Sequence, residues 1–305
     1  MKSFALAISL LLHATGLWSH TEPNAREHLT NQALGQPVLA DIPRLEPVVS
    51  NAGIPFKQND IGLDLGAKAT LAVDTTTMLP LYSKNADAKV PIASITKTVT
   101  ALTILQRHAL DEVVTIKKLP IYAPEDDTMG LTEGDTLTVR QLVQAAMIKS
   151  ANDAADALAL WDAGTIPKFT VHMNNALKGW GITDSHFASS SGLQDINNFA
   201  TASDLARIGK LILTNSFIKS TVNTSHINIT SGQNHVFELN NTNILLENGR
   251  LYGIKTGYTV ASGECLLGIT TIHDHPVITV ILGSNDRFGD TVRLINWIGS
   301  SYQWL

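Results

Sequence analysis

The sequence holds a single cysteine in 305 residues, Cys265. That excludes an intramolecular disulfide framework and any multi-cysteine metal site. Set in the apolar run Cys265-Leu-Leu-Gly-Ile, it reads as a small core residue. Charge is also sparse: 16% of residues, a net charge of −5 and no long basic run, so nothing steers the chain toward nucleic acid. Hydrophobic residues reach 44%, which excludes a disordered or fibrous class. The length allows one large domain or two small ones, and no internal repeat is found. After Lys2, the apolar stretch Phe4 to Trp18 has the length of a signal-peptide core and is short for a membrane span. No cysteine follows it, which excludes a lipoprotein anchor. The expectation is export, with residues 1–19 a signal peptide or an uncleaved N-terminal anchor.

Residues 20–59 contain Pro, Asn and Gln without periodicity and read as a linker. Strand signals follow at Ala69–Val73 and Leu79–Tyr82. Helical spacing then dominates: Ile95–Leu105, Val139–Met147, Asp153–Trp161, Ile166–Leu177 and Ala202–Leu213, the last with Thr201 or Ser203 as N-cap. Strand character returns at His226–Ile229, His235–Leu239, Leu251–Thr256, Cys265–Ile272 and Val277–Leu282. Gly232-Gln233 and His273-Asp-His-Pro276 read as hairpin turns. A final helix is expected over Thr291–Ile298. Strands at both ends with helices between predict an α+β fold: one antiparallel sheet built from both chain ends, flanked by helices, with an inserted helical lobe at about 105–225.

Three short motifs stand in order: Ser94-Ile-Thr-Lys97, Ser150-Ala-Asn152 and Lys255-Thr-Gly257. They supply a nucleophile, a base, a proton relay, an amide-holding side chain and a carboxylate grip, the parts needed for acyl transfer through a serine ester. One helical turn places Lys97 on the face of the Ser94 hydroxyl. The helix N-terminus turns backbone N–H groups toward a developing oxyanion. Lys255-Thr-Gly257 falls on a predicted strand, where the glycine would let a substrate backbone approach. Single motifs of this kind carry no weight: Ser216-Phe-Ile-Lys219 repeats the first one and is given no role.

The chain resembles the serine D-alanyl-D-alanine carboxypeptidases, the low-molecular-mass penicillin-binding proteins, over about Leu65 to Trp297. The blocks that carry the resemblance are Pro91-Ile-Ala-Ser-Ile-Thr-Lys97, Gly134-Asp-Thr-Leu-Thr-Val-Arg140 and Lys149-Ser-Ala-Asn-Asp153. Ser191-Gly-Leu193, Ala200-Thr-Ala-Ser-Asp204 and Gly253-Ile-Lys-Thr-Gly-Tyr-Thr259 add to them. It implies a serine β-lactamase/transpeptidase-like fold, with residues 60–305 as the catalytic domain. It implies no cofactor and no metal, peptidoglycan stem peptides as substrate and β-lactams as covalent inhibitors. It also implies an extracytoplasmic location, in the cell envelope or periplasm; membrane attachment is expected only through the N-terminal segment, a departure from the C-terminal anchor of many relatives.

Residues and resemblance together assign roles. Ser94 attacks the penultimate D-Ala carbonyl, and Lys97 takes its proton, its pKa lowered by burial and by the charge of Lys255. Ser150 relays the proton, and Asn152 holds the substrate amide. Lys255 and Thr256 face the terminal carboxylate beside Gly257, with Thr259 assisting. The N–H groups of Ser94 and Tyr258 form the oxyanion hole. Arg287 either binds the carboxylate or caps the last helix as an exposed charge, and Asp153 reads as structural. The reading is a D,D-carboxypeptidase. The alternatives are a DD-endopeptidase, a catalytically idle penicillin-binding module and, last, a β-lactamase. No glutamate occurs between Glu133 and Glu238, so the deacylating glutamate of class A β-lactamases has no counterpart.

Overall fold

The run Ala69–Asp74 is buried at every position, the mark of a strand covered on both faces. A computed structural model shows how, and describes residues 53–59, 61–193, 197–246, 249 and 251–305. The signal-peptide reading of residues 1–19 and the linker up to residue 52 lie outside the described residues.

In chain order the N-terminal strands are β1 (Pro55–Lys57), β2 (Ala69–Asp74), β3 (Pro80–Lys84) and β4 (Val90–Pro91). A 3₁₀ turn, Ala93–Ile95, leads into α1 (Thr96–Leu105), then β5 (Val113–Thr115) and β6 (Thr136–Thr138). Helices α2 (Val139–Ile148), α3 (Asn152–Ala163) and α4 (Ile166–Gly179) follow. Next come β7 (Phe199–Ala200), α5 (Ala202–Thr214), α6 (Ser216–Val222), β8 (His226–Thr230) and β9 (Val236–Asn240). The chain closes with β10 (Tyr252–Thr259), β11 (Gly263–Ile272), β12 (His275–Ser284), α7 (Arg287–Ser301) and β13 (Tyr302–Trp304).

The main sheet is antiparallel, in the order β10-β11-β12-β2-β3. It is built from both chain ends, as the strand–helix–strand order predicts. Side chains alternate between two cores. Ile278, Val280 and Leu282 of β12 face the helical side, packed with Leu205, Ile208 and Ile212 of α5. Val277 and Ile281 face the other side, under Leu294 and Ile298 of α7. Burial on both faces explains why these strands read as continuous apolar runs.

Helix α1 is buried on all sides, threonines included. Its hydroxyls are largely paired internally: Thr98 Oγ1 donates to Ile95 O (2.7 Å) and Thr100 Oγ1 to Ser190 O (2.6 Å). Such pairing removes most of the desolvation cost of a polar central helix.

Three details differ from the sequence reading. Pro55–Lys57, placed in the linker, pairs as β1 with β13, at a contact 240-odd residues away in the chain that no local pattern encodes. The last helix starts at Arg287 rather than Thr291, because the Asp286 carboxylate caps the N–H of Gly289 (2.8 Å). The second Ser-x-x-Lys copy lies on α6, which Asn215 caps through the N–H of Ile218 (3.0 Å). The His273-Asp274 turn forms as expected, with both residues at positive φ (49° and 65°), the twist a two-residue hairpin requires. Among the described residues no helix is long and apolar enough to cross a membrane.

The lobe is tied together at Asp162, whose side chain is buried. Its carboxylate accepts from Arg107 Nε (2.6 Å), and His108 Nε2 (2.7 Å) and His172 Nδ1 (2.6 Å) also lie on it, joining the segment after α1 to α3 and α4. Burial by itself would lower His108, but hydrogen bonds and charge from Asp162 and Glu112 outweigh it and hold its pKa above the usual value. Burial would raise Asp162, but His108, Arg107 and His172 outweigh that and depress it far below the usual carboxylate range. A raised histidine contributes stability fully below its unfolded value, about 6.5, and loses it as pH rises through the folded pKa. Asp162→Asn should therefore cost about 1.5–3 kcal/mol of unfolding free energy, the range for hydrogen bonds to a charged group. The gap to wild type, read by urea denaturation, should be widest near pH 5–6 and narrow above the folded pKa of His108. A gap that is flat from about pH 5 to 9 would remove the histidine from this linkage.

Candidate active site

Ser94 occupies the 3₁₀ turn immediately before α1, and Lys97 sits in the first turn of that helix. The spacing does what the sequence reading expects: Lys97 Nζ donates to Ser94 Oγ at 2.8 Å. The same nitrogen donates to Asn152 Oδ1 (2.6 Å) and to the Ser191 carbonyl (2.7 Å). Three acceptors from three chain segments thus meet one amine. Lys97 is fully buried, and its pKa falls to about 7. Burial is the dominant cause; the carboxylates Asp156, Asp127, Asp153 and Asp126 pull the other way. Lys255, expected to lower Lys97, stands close enough that the two charges oppose one another. Its own pKa lies well below the usual lysine value through burial first and the Lys97 charge second.

Ser150 ends the turn between α2 and α3 with its backbone left-handed (φ 65°), and Ala93 is left-handed too (φ 49°). Both conformations are costly for residues with a Cβ and are held by the surrounding packing. Asn152 opens α3, its N–H donating to Asp127 O (2.7 Å). Since its Oδ1 accepts from Lys97, the NH₂ end is the part of the amide left for a ligand. Asp153, read as structural, is so: its carboxylate accepts the N–H groups of Met129 (3.0 Å), Gly130 (2.9 Å) and Leu131 (3.0 Å).

Strand β10 is the edge strand of the main sheet and lies alongside the Ser94 turn. Gly257 is needed for a reason in addition to substrate approach. A Cβ there would meet Ile92 O at 2.8 Å and Ser94 N at 3.1 Å, so the glycine lets the strand press against the protein's own nucleophile turn. Ser94, Ser150, Asn152, Thr256, Gly257, Tyr258 and Arg287 line one cleft. Lys97 and Lys255 stand behind this lining, Lys255 Nζ donating to Thr256 O (3.2 Å). Thr259 is not brought in: its hydroxyl and N–H are bound to Ser262 (2.8 and 2.9 Å) in the β10–β11 turn, so it braces the hairpin. Arg287 does join the cleft, Nη1 donating to Gly257 O (3.0 Å), because α7 begins four residues earlier than its apolar spacing suggests.

Sequence reasoning missed several neighbours. Glu125, Asp126, Asp127, Leu193 and Thr242 also line the cleft. Asp156 lies one helical turn after Asn152; its carboxylate accepts from Ser190 Oγ (2.5 Å) and Tyr122 OH (2.8 Å), and burial raises its pKa. The i,i+4 spacing from Asn152 was the available signal for Asp156. None existed for the acidic loop, which is placed by tertiary contact.

The family described as D-alanyl-D-alanine carboxypeptidase matches residues 56–286, which takes in every one of these motifs. The chain belongs to that family. Within it, the chain is 33% identical to a D-alanyl-D-alanine endopeptidase of Pseudomonas aeruginosa, covering 81% of this chain and 80% of the relative. A D-alanyl-D-alanine carboxypeptidase of Bacillus subtilis is 27% identical over 78% of this chain and 63% of the relative. Among solved structures, a Streptomyces DD-transpeptidase superposes with a TM-score of 0.72 at 28% identity, covering 79% of this chain and all of that one. A Listeria monocytogenes penicillin-binding protein in its ampicillin-bound form gives 0.68 at 29% identity, again over 79% and 100%. These neighbours bear out the α+β, transpeptidase-like fold.

In this family member the third acceptor of Lys97 depends on Gly192, at φ +87°. A Cβ there would fall 2.0 Å from Ala93 O and 2.9 Å from Thr96 Oγ1. Gly192→Ala should lower stability by about 2–4 kcal/mol, seen as a fall of several degrees in the thermal midpoint. An unchanged midpoint would show that the loop has room to move.

Proposed function

We propose that this chain is a serine DD-peptidase that removes the terminal D-Ala from peptidoglycan stem peptides, a D,D-carboxypeptidase. The observation that carries the serine DD-peptidase chemistry is the buried Lys97 amine, 2.8 Å from Ser94 Oγ and with a pKa near 7. When neutral, the amine has two N–H groups for Asn152 Oδ1 and Ser191 O. Its lone pair then faces the Ser94 hydroxyl, the arrangement a general base needs.

Ser94 attacks the carbonyl of the penultimate D-Ala as Lys97 takes its proton. Charge developing on the carbonyl oxygen meets the N–H groups of Ser94 and Tyr258 at the edge of β10. The Ser150 hydroxyl passes a proton to the departing amine, and the Asn152 NH₂ holds the substrate amide in line. Thr256 and Arg287 meet the terminal carboxylate, with Lys255 behind them. Water then cleaves the Ser94 ester. β-Lactams carry a carboxylate and an acyl bond in the same relation and acylate Ser94; the ampicillin-bound Listeria relative supports this. The substrate lies outside the cytoplasm, and the apolar run Phe4 to Trp18 supports export to the envelope.

A second reading has a specific observation behind it. The relatives from Pseudomonas aeruginosa and Escherichia coli that are 33% and 30% identical are both named endopeptidases, and they are matched over 80% and 78% of their lengths. Cleavage of a peptide cross-link uses the same nucleophile and base.

Two experiments test these readings. Purified muropeptides should lose one terminal alanine from pentapeptide monomers, by mass spectrometry, with wild type and not with Ser94→Ala. Conversion of cross-linked dimers to monomers with pentapeptides intact would make it the endopeptidase, and no change in either pool would sink both. In the second, penicillin acylation of Ser94 should slow about tenfold per pH unit below about pH 7, as Lys97 becomes protonated, and level off above it. A rate independent of pH from about 5 to 9 would remove Lys97 as the base.

A further inference from the structure

Thr242 belongs to none of the motifs, yet its side chain lines the cleft. Its segment is firmly held. The Thr242 N–H donates to Ile148 O at the end of α2 (3.2 Å), and Asn241 Nδ2 donates to Thr224 O (2.9 Å). The Thr242 hydroxyl lies 2.5 Å from the Thr256 hydroxyl, close enough that one proton must sit between the two oxygens. Neither hydroxyl has another hydrogen-bond partner among the described residues. The pair holds two protons and shares one, so the second proton is left for whatever occupies the cleft. Arg287, whose guanidinium is held on Gly257 O, lines the same cleft.

We infer that Thr242 is a positioning residue for the substrate carboxylate: its hydroxyl donates to Thr256 Oγ1 and so turns the Thr256 proton toward the carboxylate that Arg287 attracts. This rests on the D,D-carboxypeptidase reading, in which Thr256 meets that carboxylate. A hydroxyl that already accepts one hydrogen bond is a better donor for the next, and its rotor is fixed before substrate arrives. Without Thr242, Thr256 keeps its oxygen in place and loses the partner that sets the direction of its proton.

A double-mutant cycle on a peptide ending in D-Ala-D-Ala tests this, with Thr242→Val, Thr256→Val, the double variant and Thr242→Ser. Thr242→Val should lose about tenfold in kcat/KM, mostly through KM, as expected for one hydrogen bond to a charged group. In the Thr256→Val background the same change should cost less than about twofold, because the residue through which it acts is gone. Thr242→Ser, which keeps the hydroxyl, should stay within about twofold of wild type. Thermal midpoints of all variants establish that they are folded. Losses that multiply in the double variant, a Thr242→Val enzyme with wild-type KM, or a Thr242→Ser enzyme as impaired as Thr242→Val would each overturn the assignment while leaving the carboxypeptidase reading intact. A wild-type chain that neither releases D-Ala nor takes penicillin on Ser94 would overturn both.

Discussion

The interaction on which the rest of the structure depends is the enclosure of the Lys97 amine. A buried ammonium is expensive unless every donor has an acceptor. Here the acceptors come from the turn before α1, the start of α3 and the Ser191 loop, at 2.6–2.8 Å. Three segments distant in sequence must converge on one atom. That requirement explains the burial of α1 on all sides, the hydroxyls that fasten it to its neighbours and the close packing of β10 against the nucleophile turn.

The same requirement accounts for the local backbone cost. Ala93 and Ser150 adopt left-handed conformations on either side of the cleft, where a non-glycine residue is strained. Gly192 and Gly257 stand where any side chain would strike the Ile92–Ser94 backbone. Strain at two residues and forced glycines at two others are different answers to one problem: bringing a strand, a loop and a helix start within hydrogen-bonding reach of Ser94 and Lys97.

Electrostatics in the cleft work by opposition. Burial drives Lys97 toward neutrality, and four carboxylates, Asp156 first among them, limit the fall. The balance near pH 7 leaves the amine able both to accept and to return a proton. Arg287 and the acidic residues Glu125, Asp126 and Asp127 line the same cleft with opposite charge. A substrate is therefore met by a carboxylate grip and by a rim that favours positive groups, without large net charge on the protein as a whole.

The sequence by itself determined the chemistry and most of the elements. Ser94 and Lys97 lie one helical turn apart, so their contact is local and readable, and the apolar runs of β2, β11 and β12 mark a sheet buried on both faces. The motif order carries the family, and with it the fold. Only the tertiary structure decided the rest. Thr259 went to the hairpin turn because Ser262 lies beside it, and Arg287 reached the cleft because an Asp286 cap moved the start of α7. Gly257 serves the protein's own packing, and Thr242 meets Thr256 across a segment that no periodicity links to it. Local spacing fixes contacts within one helical turn or along one strand. Contacts between segments depend on which surfaces the whole chain can bury together, and that is set by packing rather than by any short stretch of sequence.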